Sequence, residues 1–292
     1  MSKKCVKLDN GEVIAYKKRG YGEKVVVLIH GNMSSSEHYS SLLEQIDPES
    51  YTLYALDLRG FGDSTYYSPI ESVRDLSNDI YKFIDHLNIG KVYLIGWSAG
   101  GPVCLQVSID HPGLVEGIIL LSSVSFKGDP IQRKDKSGVI NGEYYESKEE
   151  MALDPEIAIP SKAIQNKDFN IMNSMWNVGI YTNQKPSQSR NELLIKETFK
   201  QRNLEDIYWA LAHFNLSYEH NGYSQGSGLI KQINVPVLSY WGEQDRIIKF
   251  KDVKSTVDSL PNASLRVLKE CGHSPLVDNL EEVLNGMKDV FV

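Results

Sequence analysis

Short apolar runs recur along this chain with helical stretches between them, and that alternation constrains the fold more than any other feature. Residues 25–29, 51–56, 92–95, 117–121, 237–240 and 265–268 are rich in β-branched and other apolar side chains. Runs with no polar alternation suit strands covered on both faces, as in a parallel sheet. Between them, Val73, Leu76, Ile80, Phe83, Ile84 and Leu87 fall at three- and four-residue steps and predict one face of a helix. Pro102 suits the first turn of a helix that runs to about His111 and is ended by Pro112-Gly113. Alternating strands and helices argue for an α/β architecture with right-handed crossovers. Residues 5–8 and 13–17, separated by Asn10-Gly11, predict a hairpin at the sheet's edge.

The alternation stops between about residues 127 and 231. Gly, Asn, Ser and Gln are frequent there, apolar runs disappear, and helix-like patches surround residues 171–176, 192–199 and 204–214. About a hundred residues is too long for a plain connection inside a compact domain. The expected organisation is therefore a core formed by residues 1–126 and 232–292, with residues 127–231 inserted as a helical cap.

Composition removes several function classes. With 292 residues the chain can bury a large core without staples, and 31 Lys plus Arg against 38 Asp plus Glu leave a net charge of −7. An acidic balance without clustered cations argues against a nucleic-acid surface. Cys5, Cys104 and Cys271 are too few and too widely spaced for a disulfide framework or a zinc knuckle. No apolar signal-type segment follows Met1, and no run approaches the length of a membrane span, so a cytoplasmic location is the expectation.

The chemistry centres on Gly96-Trp97-Ser98-Ala99-Gly100-Gly101, which follows the apolar run 92–95 and precedes a predicted helix. Gly-X-Ser-X-Gly in that setting places the serine on a sharp strand-to-helix turn, its hydroxyl exposed at the positive end of the helix dipole. Small residues are needed two positions either side, because the turn presses them against a neighbouring strand and helix. A serine hydroxyl is a poor nucleophile without a base. Asp245 follows run 237–240, and His273 follows run 265–268. The order Ser98, Asp245, His273 matches one of the known triad orders, and all three lie after strand ends, where open parallel sheets gather their active sites. His30-Gly31-Asn32-Met33 follows run 25–29, so the amides of Asn32 and Ala99 are the expected oxyanion donors.

His30-Gly31, the stretch from Asp57 through Arg59 and Asp63 to Ser64, the elbow, Asp245 and Gly272-His273 together resemble the α/β-hydrolase family. The resemblance implies an eight-stranded, mostly parallel sheet flanked by helices and an acyl-enzyme mechanism. Within the family, the stretch His30–Met33 followed by Ser35-Ser36, with the elbow, is similar to intracellular poly(3-hydroxybutyrate) depolymerases that carry a lipase-like box. The expected function is hydrolysis of a carboxylic ester, either a small molecule such as a short-chain hydroxyalkanoate ester or a 3-hydroxybutyrate oligomer or polymer. A hydrolase-fold ligand sensor with little turnover and a cofactor-free perhydrolase are the alternatives.

Around this triad, Met33 and Trp97 are candidates to line an acyl pocket, and Trp176, Trp209 and Phe214 to roof it. Asp57, Arg59 and Asp63 are expected to hydrogen-bond a turn, His30 to fix the oxyanion loop, and Cys271 to fill space. No metal-ligand cluster or phosphate-cradling loop is apparent, so no cofactor is implied.

Overall fold

The computed structural model describes residues 1–135 and 137–291; Lys136, in the expected cap, and Val292, the last residue of the expected core, lie outside them. Among the described residues ten strands form: β1 Lys4–Lys7, β2 Val13–Gly20, β3 Lys24–Ile29, β4 Tyr51–Leu56, β5 Val92–Trp97, β6 Val115–Leu121, β7 Gln132–Lys134, β8 Ile140–Tyr144, β9 Val237–Gly242 and β10 Ala263–Leu268. The helices are α1 Ser40–Gln45, α2 Val73–His86, α3 Gly100–Asp110, α4 Lys148–Met151, α5 Pro155–Gln165, α6 Phe169–Met175, α7 Gln188–Thr198, α8 Leu204–His213, α9 Phe250–Ser259, α10 Pro275–Asp278 and α11 Leu280–Val290.

Eight strands make one sheet in the order β1-β2-β4-β3-β5-β6-β9-β10. Strand β2 is antiparallel to both β1 and β4, and every other pairing is parallel. This is the eight-stranded, mostly parallel sheet of the α/β-hydrolase fold. The sequence-predicted hairpin is the β1/β2 edge, turned at Gly11 with φ +89°.

The apolar runs are explained by two-sided burial. In β3, Val27 and Ile29 face a core shared with α2 and α3, while Val26 and Leu28 face a second core shared with α1 and α11. All four are 0% exposed. Full burial contributes about 1.5–3 kcal/mol per side chain of this size, which favours apolar residues at these central positions.

The sheet's strand order reverses between β3 and β5, which makes a crevice at their carboxyl ends. Residues between β6 and β9 cross above that crevice. Helices α6, α7 and α8 correspond to the three expected patches, but the segment also holds the β7/β8 hairpin, α4 and α5, which pattern reading did not anticipate. The hairpin depends on turn chemistry rather than apolar alternation. Asp135 Oδ1 accepts from the amides of Ser137 (2.8 Å) and Val139 (3.0 Å), and most of β8 is exposed. Helix α5 contains Pro160, a residue that argues against a helix interior. Among the described residues, no helix is long and apolar enough to cross a membrane.

Candidate active site

Ser98 sits directly after β5 with φ +53°, in the left-handed region, and α3 begins two residues later. Such a backbone costs about 1–3 kcal/mol and persists only where its surroundings enforce it. Here the Ser98 amide donates to Leu121 O (2.9 Å), and the Ser98 carbonyl accepts from the amides of Gly101 (3.0 Å) and Val124 (3.1 Å). The glycines are sterically required. A Cβ on Gly96 would lie 2.6 Å from Gly100 O, one on Gly100 2.1 Å from Ile29 O, and one on Gly31 2.9 Å from Ser98 Cβ.

Asp245 and His273 are brought together by the loops after β9 and β10. His273 Nδ1 lies 3.0 Å from Asp245 Oδ2 and 3.1 Å from Oδ1. Their side chains are 2% and 0% exposed. Asp245 Oδ1 also accepts from the amides of Ile247 (2.8 Å) and Ile248 (3.0 Å). Burial works to raise this carboxyl, but the charge and hydrogen bond of His273 and the two amides outweigh it and hold it below the usual carboxylate range. The competing acids lie elsewhere: Asp258 pairs with Lys254 on α9, and Glu243 is exposed. His273, its Nδ1 paired with Asp245, lines the same cavity as Ser98.

Two contacts that sequence reasoning missed hold the His273 loop. Trp97 Nε1 donates to His273 O at 2.8 Å, tying the loop to the elbow. Asp278 accepts from the amides of Gly272 and Gln184, both at 2.7 Å, tying it to the segment between β6 and β9.

Gly31 turns the chain out of β3 against the elbow. The amide of Met33 is taken by Gln201 Oε1 (2.9 Å) and Asn32 Oδ1 (3.0 Å), and Gln201 Nε2 donates to Asn32 Oδ1 (2.7 Å). The amides of Asn32 and Ala99 have no partner among the described residues, and both residues line the cavity. Beneath them, His30 Nε2 accepts from the Leu58 amide (3.0 Å) and Nδ1 donates to Gly31 O (2.8 Å). Burial lowers this imidazole to about 4, so it is neutral.

The cavity measures about 160 Å³. Met33, Trp97 and Trp176 line it, whereas Trp209 and Phe214 do not. Trp209 lies on the other side of α8, its ring 4.2 Å from that of His213 and 5.9 Å from that of Tyr223. Phe214 follows α8 and is buried in the core beside α2 and α3. A tryptophan and a phenylalanine in a helical insertion look alike in sequence whichever way the helix is turned. The lining that went unrecognised includes Asp129, Met172 and Tyr208. His38, for which the sequence names no partner, stacks on Trp176 with ring centroids 5.0 Å apart.

The remaining polar candidates are structural. Arg59 clasps Asp79 through Nε (2.7 Å) and Nη2 (2.8 Å). Asp57 accepts from the amides of Ser36 (2.8 Å) and Asp63 (2.9 Å). Asp57, Asp63 and Glu197 converge closely enough to hold a cation, but Lys3 Nζ already pairs with them at 2.8, 3.0 and 2.9 Å. Cys271 is buried and its thiol is pushed well up by that burial.

A mostly parallel sheet with a serine on a left-handed turn at its switch point, facing a His–Asp pair across a cavity, defines a protein of the α/β-hydrolase class. The family model for the alpha/beta hydrolase fold matches residues 24–280, and the chain belongs to that family. It is 25% identical over 274 residues to a 2-hydroxy-6-oxo-6-(2'-aminophenyl)hexa-2,4-dienoic acid hydrolase of Metapseudomonas resinovorans, covering 92% of this chain and 84% of that one. Lipase 1 of Psychrobacter immobilis is 22% identical over 293 residues, covering 98% of this chain and 82% of the lipase. An esterase from Exiguobacterium antarcticum superposes with a TM-score of 0.74 at 18% identity, covering 99% of this chain and 98% of the esterase; at that identity the likeness is one of fold.

Proposed function

We propose that this protein is a serine hydrolase of small carboxylic esters, working through an acyl-enzyme. The observation that carries the reading is the buried His273–Asp245 pair opening on the cavity that holds Ser98. His273 takes the Ser98 proton as the oxygen attacks the acyl carbon, while Asp245 fixes the imidazole tautomer and stabilises the imidazolium. The unpartnered amides of Asn32 and Ala99 receive the oxyanion. His273 then protonates the leaving alcohol, and afterwards activates the water that releases the acid.

Residues 127–231 act as the cap in this reading, since Met172, Trp176, Tyr208 and Leu211 all border the cavity. A cavity of about 160 Å³ under that cap suits a small ester better than a hydroxybutyrate polymer. Among the described residues the lining contains no Lys or Arg, so a substrate carrying a carboxylate, as a dienoic acid does, would find no cationic partner there.

The test is hydrolysis of aryl esters of increasing acyl length and of amorphous poly(3-hydroxybutyrate), with Ser98→Ala as control. The expected outcome is Ser98-dependent turnover that peaks at short acyl chains, with the polymer inert. A polymer rate above the best short ester would restore the depolymerase expectation. No turnover on any ester would favour the ligand sensor.

A further inference from the structure

Among the described residues Asp129 is the one carboxylate lining an otherwise largely apolar cavity, and the proposed mechanism gives it no role. Its position is fixed by the backbone: it lies just after Gly128, and its amide donates to Leu211 O on α8 at 3.0 Å. Gly128 has φ +80°, and a Cβ there would lie 2.2 Å from Phe214 O, so the chain is pressed against the end of α8. Asp129 retains exposed surface, and it lines the cavity together with Met172, Trp176 and Tyr208. Among the described residues, no hydrogen bond or ion pair reaches its carboxylate, and the Tyr208 hydroxyl is equally unpartnered. Burial pushes the carboxyl up to about 6, with Glu156 and Asp252 adding to the effect and Lys249 opposing it. A carboxylate on a cavity wall with no partner among the described residues is free to pair with a cation bound there.

We propose that Asp129 is a specificity-determining residue that pairs with a cationic group on the substrate, so that the preferred esters carry an ammonium a few bonds from the scissile carbonyl. The inference rests on the ester-hydrolase reading and names its substrate class. A bound cation supplies the charge that Asp129 lacks and leaves the apolar walls to the rest of the chain. Among the described residues no Lys or Arg lines the cavity, and Lys249, which acts on Asp129 from outside it, forms no ion pair with the carboxylate.

Two pairs of isosteric esters test this, differing only in whether a quaternary carbon or a quaternary nitrogen is present. On the acyl side they are 4-nitrophenyl 5,5-dimethylhexanoate and 4-nitrophenyl 4-(trimethylammonio)butanoate. On the alcohol side they are 3,3-dimethylbutyl butanoate and butanoylcholine. The expected result is a kcat/KM preference for the cation of about tenfold or more in one pair, falling by a similar factor in Asp129→Asn. A ratio within one variant does not depend on how much of that variant folds. Calorimetric binding of the same four esters to Ser98→Ala reads the discrimination without turnover. No preference for the cation in either pair, or a preference that survives Asp129→Asn, overturns the assignment. Neutral esters hydrolysed without charge discrimination would remove the role of Asp129 and leave the ester hydrolase standing. If no ester is hydrolysed, the ester reading fails and the binding ratio alone decides Asp129.

Discussion

Ser98, Asp245 and His273 divide the proposed chemistry unequally, and single substitutions expose the division. Ser98→Ala should lower kcat by on the order of 10⁴ or more while thermal unfolding stays near native, because the hydroxyl makes no contact on which the fold depends. Asp245→Asn should cost about as much, since an amide cannot hold the same tautomer. Asp129 yields a pH signature. Glu156 of α5, Tyr208 of α8, and Asp252 and Lys249 at the start of α9 set its field, and its carboxyl titrates near about 6. Protonation removes the charge, so the cation-to-neutral ratio of kcat/KM should be full above that pH and vanish as pH falls through it. The proposed triad residues could be named from sequence because each follows an apolar strand in a fixed order. Asp129 was not legible, because an aspartate in a Gly-Asp-Pro loop looks like turn chemistry until α8 is folded over it.

Among the elements, the elbow connecting β5 to α3 has the least tolerance. Gly100→Ala would drive a Cβ to 2.1 Å from a backbone oxygen of β3, which cannot yield, so a loss of at least about 3 kcal/mol is expected in denaturant unfolding. Trp97→Phe removes the hydrogen bond to His273 O but keeps the ring. It should lower kcat by about tenfold, because the His273 loop loses its tie to the elbow, and it should shift KM as well, because Trp97 also forms part of the cavity wall. The central strands could be read from sequence because two-sided burial leaves a continuous apolar run. The β7/β8 hairpin could not, because its strands are polar and its turn is made by Asp135. The phase of α8, which sends Tyr208 to the cavity and Trp209 away from it, depends on what packs above it, and periodicity over ten residues left that open.

At the scale of the whole molecule, the segment between β6 and β9 is fastened to the sheet by charge as well as by packing. Lys3, one residue before β1, bridges buried Asp57 of the β4 loop and Glu197 of α7. Its ammonium is raised above its usual value, burial being overcome by those two carboxylates. Lys3→Met should destabilise the fold by about 3 kcal/mol, seen as a lower Tm, because it strands Asp57 without its cation. The central claim is that Ser98 becomes covalently acylated during ester hydrolysis. Mass spectrometry of the protein quenched in acid during turnover of a short 4-nitrophenyl ester tests it most directly. The account predicts an increment equal to the acyl group on the peptide carrying Ser98, absent from Ser98→Ala. Ester turnover that persists in Ser98→Ala, or an acyl group mapped to another residue, would contradict it.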